Sequence, residues 1–114
     1  MNIPEYLFCE NPVYDENNDR REFIVYTGDP FILAEIYPFE NIGEKDILEK
    51  MRQMPTGARL DYNGIETFFF VPVKMIESKE FAKLSDQKQS DRIASIMRKM
   101  ADWYEYYLDW EDNQ

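Results

Sequence analysis

Residues 58–73 read ARLDYNGIETFFFVPV, two β-rich runs separated by Asn63 and Gly64. Asn-Gly is the preferred pair for a type I′ turn, whose two positive-φ residues give a twist that matches the flanking strands. The stretch therefore predicts an antiparallel hairpin. A two-residue loop pairs Tyr62 with Ile65, Leu60 with Thr67 and Ala58 with Phe69 on one face. The other face then brings Asp61 to Glu66 and Arg59 to Phe68, with Phe70 further along, and Arg59 lies diagonally near Glu66.

Upstream, residues 22–27 and 31–37 predict a second hairpin across TGDP, with Gly28 and Asp29 as a type II′ loop. Tyr26 then faces Phe31 and Ile24 faces Leu33, while Phe23, Val25, Ile32, Ala34 and Ile36 take the other side. Both faces are apolar near this turn, so both are expected to be covered. Residues 5–14 predict a first strand, and its interruption at Asn11 and Pro12 suits an edge position or a bulge. Between the hairpins, NIGEKDILEKMRQMPTG (41–57) predicts a helix: Asn41 and Glu44 have capping-box-like spacing, and Pro55 with Gly57 stops it.

Beyond Val73 the period lengthens. SKEFAKL predicts a short turn or helix from Ser78, and residues 86–110 carry the longest helical pattern. Ile93, Ile96, Met97, Met100, Tyr104, Tyr107 and Leu108 fall within a stripe about 120° wide, the expected core face. The expectation is one α+β domain over residues 1–114 in the order βββαββαα. Its largely antiparallel sheet has about five strands, and the long C-terminal helix packs on one face.

Composition narrows the chemistry. The chain has no histidine and one cysteine, Cys9, so imidazole acid-base catalysis, Ser-His-Asp and Cys-His nucleophiles and the familiar zinc ligand sets are excluded. Cys9 itself reads as a small buried hydrophobe in a strand. The segment YDENNDRRE (14–22) begins like a calcium loop, with Asp15, Asn17 and Asp19 on alternate positions. Its sixth and twelfth positions hold Arg20 and Tyr26 where glycine and glutamate are required, so it reads as a strand connection. Asp61 and Glu66 are the candidate carboxylate pair for a hydrolase, but register alone would make them neighbours. No phosphate loop or nucleophile elbow is present. No metal or cofactor is expected.

Thirteen basic against 23 acidic residues give a net charge of −10. That balance repels phosphate backbones and anionic lipid, so neither direct nucleic-acid binding nor membrane binding is expected. With no apolar span and no basic, apolar leader at the start, the expected compartment is the cytoplasm. The final segment DWYEYYLDWEDNQ carries five acids and no base. In it Trp103, Tyr106 and Trp110 form a second stripe beside the core face, with Asp102, Glu105 and Asp109 on the far side. Trp and Tyr anchor interfaces because they bury much area at little entropic cost.

The functional expectation is a noncatalytic module that binds a protein partner with a basic surface through this helix, in the manner of an inhibitor or immunity-type protein. Two other expectations compete with it. The carboxylate row imitates phosphates, making the protein a nucleic-acid mimic that blocks a DNA- or RNA-binding enzyme; or the helix packs deeply enough to bury the second stripe as core.

Overall fold

A computed structural model describes residues 4–10, 22–38, 49, 52, 57–64 and 66–114. Five strands, β1 (Tyr6–Glu10), β2 (Glu22–Tyr26), β3 (Phe31–Pro38), β4 (Ala58–Tyr62) and β5 (Glu66–Ile76), are followed by α1 (Lys79–Ala82) and α2 (Asp86–Asp112). The strands form one antiparallel sheet in the order β1-β2-β3-β5-β4, with β1 and β4 at the edges. The fold is α+β, as expected, with β5 running on to Ile76, past the change of period read at Val73. The residues expected to extend the first strand (11–14), the calcium-like loop except Glu22, and the helix expected over 41–57, save Glu49, Arg52 and Gly57, lie outside the described residues.

Both hairpins differ from expectation by one residue of register. In the second, Asn63 and Gly64 do take positive φ (55° and 69°), yet Tyr62 pairs with Glu66, Asp61 with Thr67 and Leu60 with Phe68. The loop is one residue longer than the two-residue form. Because side chains alternate with a period of two, that single step exchanges faces. Leu60 and Tyr62 now share a side with Phe68 and Phe70, four residues all buried to 8 % exposure or less. The expected register would have split these four between faces.

In the first hairpin Ile24 pairs with Ala34 and Tyr26 with Ile32, so five residues, Thr27 to Phe31, lie between the last paired positions. The expected two-residue loop would have closed on Thr27 and Pro30. Proline has no N–H to donate across that closing pair, so the tight form lacks its hydrogen bond. Thr27 instead donates through its amide to the Glu5 carbonyl (3.0 Å) and through its hydroxyl to Pro4 (2.7 Å). The longer connection places Ile24, Ile32, Ala34 and Ile36 on one face, all but Ile36 fully buried.

Both corrections turn the same side of the sheet apolar, and α2 packs there. Ile93, Ile96, Met97, Met100, Ala101 and Tyr104 are its buried residues. Tyr107 and Leu108, expected in this stripe, are half-buried against the core, and Ala101 joins it unexpectedly. The opposite face is not covered throughout: Val25 and Leu33 are half-buried and Leu7 is 41 % exposed. Among the described residues, burial there is nearly complete only around Glu35, Phe69 and Val71, where the Tyr37 hydroxyl donates to Glu35. Pro72 is accommodated in β5 because β4 has ended and the register with β3 shifts at this level, leaving Val73 as the extra residue.

Serines start both helices. The Ser78 hydroxyl accepts from the Phe81 amide (3.0 Å), and that of Ser85 from Lys88 (3.3 Å). Asp29, in the β2–β3 connection, accepts from the Ser78 hydroxyl (2.5 Å) and amide (3.2 Å), tying the turn to the start of α1. The Gln89 amide donates to the carbonyls of Phe81 and Leu84, satisfying groups that the end of α1 leaves open.

Phe70 is fully buried and meets Tyr104 edge-on at 5.5 Å. Phe70→Ala removes a ring that close packing cannot replace, and is expected to cost about 3–5 kcal/mol of unfolding free energy in urea titration. Leu7→Ala, at a half-open position, is expected to cost under about 1 kcal/mol.

Candidate partner-binding surface

Helix α2 has 27 residues and is about 40 Å long. Its middle is fixed to β1 by the Tyr6 hydroxyl, which donates to the Ile96 carbonyl (3.1 Å). Burial first, and nearby Glu5 second, push the Tyr6 phenol up to about 12. Further along, Tyr104 sets its ring edge-on to Phe68 (5.3 Å) and Phe70, and lies parallel to Phe8 at 6.3 Å. Its hydroxyl reaches Glu22 at 3.4 Å. These contacts fix the rotation of the helix, and so which residues its outer flank presents.

The aromatic stripe expected there divides. Trp103 is half-buried, stacked on Tyr107 (5.8 Å, 11°) and beside Tyr6 (6.2 Å). It packs against the edge of the core, partly as the deep-packing expectation had it. Tyr106 and Trp110 remain 76 % and 56 % exposed. One side of the Trp110 indole lies beside Tyr107 at 6.2 Å. Tyr107 in turn stacks on Phe8 (5.1 Å, 21°), so a continuous series of rings runs from the sheet to the exposed tryptophan. Phe8 is a participant that the sequence pattern did not single out, and Tyr107 was expected only as part of the core face. Their juxtaposition needs the position of β1 relative to α2, which periodicity does not carry.

Asp102 and Glu105 are exposed on the outer side of the helix, as expected. Asp109 is exposed too, but it is engaged: the Tyr62 hydroxyl lies 2.9 Å from Asp109 and 2.7 Å from Asp112. One phenol has a single hydrogen to donate, so two carboxylates compete for it. The Asp112 bond chiefly pushes the Tyr62 phenol well above its ordinary range. The last turn has no basic residue. Asp109, Glu111 and Asp112 therefore face the negative end of the helix macrodipole, where acidic side chains are unfavourable by typically ~0.3–1 kcal/mol each. Asn113 caps part of this end, its side-chain amide donating to the Asp109 carbonyl (2.7 Å).

A second concentration of negative charge lies beneath. Glu22 and Glu10 are directly opposite across β1 and β2, an unfavourable like-charge pairing. Burial, then Glu10 and Glu111, raise the Glu22 carboxyl above its ordinary range against the opposing effect of the Tyr104 hydroxyl. Asp61 behaves oppositely, held low by the Thr67 hydroxyl (2.9 Å) and the Arg59 guanidinium (3.1 Å). It does not face Glu66, so the carboxylate pair considered for hydrolysis is not assembled across the hairpin. Cys9 is half-buried, and burial pushes its thiol up.

A cleft of about 500 Å³ opens alongside the first half of α2, lined by Asp91, Arg92, Ser95, Ile96 and Lys99 on the helix and by Tyr6 and Tyr26, with Glu5 and Asp29 beside the strand ends. Among the described residues, no group of three or more acidic or cysteine side chains is placed to hold a metal ion. Nor is any helix among them long and apolar enough to cross a membrane. No protein-family model, curated protein or solved structure matches the chain.

Two outcomes follow from the charge geometry. The folded state holds the Glu22 proton more tightly than the unfolded chain does, so this group makes stability rise as pH falls from neutral into the carboxyl range. Glu22→Gln, which keeps an acceptor for Tyr104, is expected to raise the melting temperature at pH 7 and to flatten its rise between pH 7 and pH 5. Tyr62→Phe deletes the donor shared by Asp109 and Asp112. Amide hydrogen exchange over residues 109–114 is expected to quicken while Met97 and Met100 stay protected.

Proposed function

We propose that the protein is a noncatalytic acidic binding module that holds a basic protein partner on the C-terminal half of α2. The observation that carries this reading is the end of the helix itself. It keeps Tyr106 and Trp110 exposed beside Asp102, Glu105 and Asp109, and it concentrates carboxylates where the macrodipole opposes them. Local charge set against local stability is the pattern expected where function, not folding, selects the residues. A cationic surface would relieve that repulsion while its apolar parts covered the indole. Inhibitor or immunity-type action, by obstructing a basic cleft, is the biological form of this reading, and the cytoplasm its compartment.

The test is an affinity capture from host lysate at low and high salt, followed by titration of the purified partner against variants that circular dichroism shows folded. Tyr106→Ala/Trp110→Ala is expected to weaken binding by about 2 kcal/mol or more, roughly thirtyfold. Asp102→Asn/Glu105→Gln/Asp109→Asn is expected chiefly to slow association and reduce its salt dependence. Trp103 is left intact, since its packing against Tyr6 and Tyr107 would confound the result. Binding that depends wholly on the carboxylates, ignores the aromatic pair and is confined to a nucleic-acid-binding enzyme would instead support phosphate mimicry. A partner indifferent to both sets of substitutions would overturn the assignment of this face.

A further inference from the structure

The outer flank of α2 is divided along its length. At 100° per residue, Lys88, Arg92, Lys99, Trp103, Tyr106 and Trp110 fall within about 60° of arc, a straight stripe. Its first half is cationic and its second half aromatic. Lys88, Arg92 and Lys99 are all exposed, and no ion pair among the described residues engages them. The Arg92 guanidinium lies over its own chain's Phe81 at 5.7 Å. The acids are weighted the other way: Asp86 and Asp91 lie in the first half of the helix beside four basic residues, while Asp102, Glu105, Asp109, Glu111 and Asp112 fill the second half with none.

Such a stripe is complementary to itself when reversed. We propose that a second copy of this chain docks on it, the two α2 helices antiparallel about a two-fold axis at the level of Ala101. Residues of the stripe equidistant from that level then meet across the axis: Arg92 with the partner's Trp110, and Lys99 with the partner's Trp103. Cations lie over aromatic rings, the arrangement favoured by the ring quadrupole. Each acidic C-terminal half comes to rest beside the other copy's cationic half and the positive end of its macrodipole.

The shape of the surface agrees with this pairing. The cleft of about 500 Å³ flanks the first half of the same stripe, lined by Arg92, Ser95, Ile96 and Lys99 over Tyr6 and Tyr26, together with the carboxylates of Glu5, Asp29 and Asp91. It is roomy enough for one indole. The exposed Trp110, steadied on one side by Tyr107, is the projection that would enter it. A two-fold pairing uses each cleft and each tryptophan once, as an isologous interface requires. The net charge of −10 on each chain opposes association, but beyond about 8 Å that repulsion is screened at physiological ionic strength, so close pairing of opposite signs sets the register.

This inference stands apart from the proposed basic partner, because its test needs the purified chain alone. Sedimentation velocity of the full chain from about 10 to about 500 µM at 0.15 M ionic strength (on the order of physiological) is expected to show a monomer–dimer equilibrium. Trp110→Ala and Arg92→Glu, each confirmed folded by circular dichroism, are expected to weaken dimerisation about tenfold or more. The exchange Arg92→Trp/Trp110→Arg restores both contacts in reversed order and is expected to regain most of it. A wild type monomeric throughout, or a dimer indifferent to both single substitutions, would overturn the proposal. A folded exchange variant that stays as weak as the single substitutions would overturn the antiparallel register.

Discussion

Tyr104 meets the sheet through rings from two strands, edge-on to Phe68 and Phe70 of β5 and parallel to Phe8 of β1. A helix can pack on a sheet at many rotations; a large ring fitted among three others removes that freedom, because off-rotamer or shifted arrangements forfeit close contact. Once Tyr104 is seated, Met97 and Met100 fall into the same buried cluster as Ile24 and Ile36, and Tyr106 and Trp110 are turned outward. The exposed aromatics are thus a consequence of how the buried one is held. The hydroxyl of the same residue approaches Glu22, so the core contact also brings the helix to the most crowded carboxylates of the sheet.

Stability is unevenly distributed along α2 as a result. Its first half is capped by Ser85, braced through Gln89 and fixed by Tyr6. Its last turns depend on ring stacking through Tyr107 and on a phenol shared between Asp109 and Asp112. Charge adds nothing favourable there, since the macrodipole and the mutual repulsion of the acids act in the same direction. Stacking must therefore offset an electrostatic cost, which explains why so much aromatic surface gathers at one end of a small protein.

Much of this was legible in the sequence. The Asn-Gly turn, the long C-terminal helix with its apolar stripe and the Ser78 start depend on local chemistry, and each is found. Register was not legible, although the apolar residues contained a clue. Preferring the shortest loop placed Leu60 and Phe68 on opposite faces, when co-locating Leu60, Tyr62, Phe68 and Phe70 requires one more loop residue. At the first hairpin, Pro30 was readable as an obstacle to a tight closing pair. The site was legible as residue types and spacing only. That Trp103 turns inward against Tyr6 while Trp110 stays open depends on where β1 ends its run over the helix, a tertiary fact with no sequence period.

The two proposed occupants of α2 have one physical root. Cationic side chains that would approach Trp110 and its neighbouring carboxylates are present at the opposite end of the same stripe, so the chain carries its own complement. A basic partner and a second copy would both cover Trp110, and on these readings they exclude each other. Self-association then acts as competition that weak partners lose and strong ones overcome. The apparent affinity for a partner would fall by the fraction of chains left monomeric, a selection by concentration that requires no conformational change. Sequestering the indole also removes an exposed apolar surface when no partner is present, which serves a protein whose most adhesive residue lies at its least stable end.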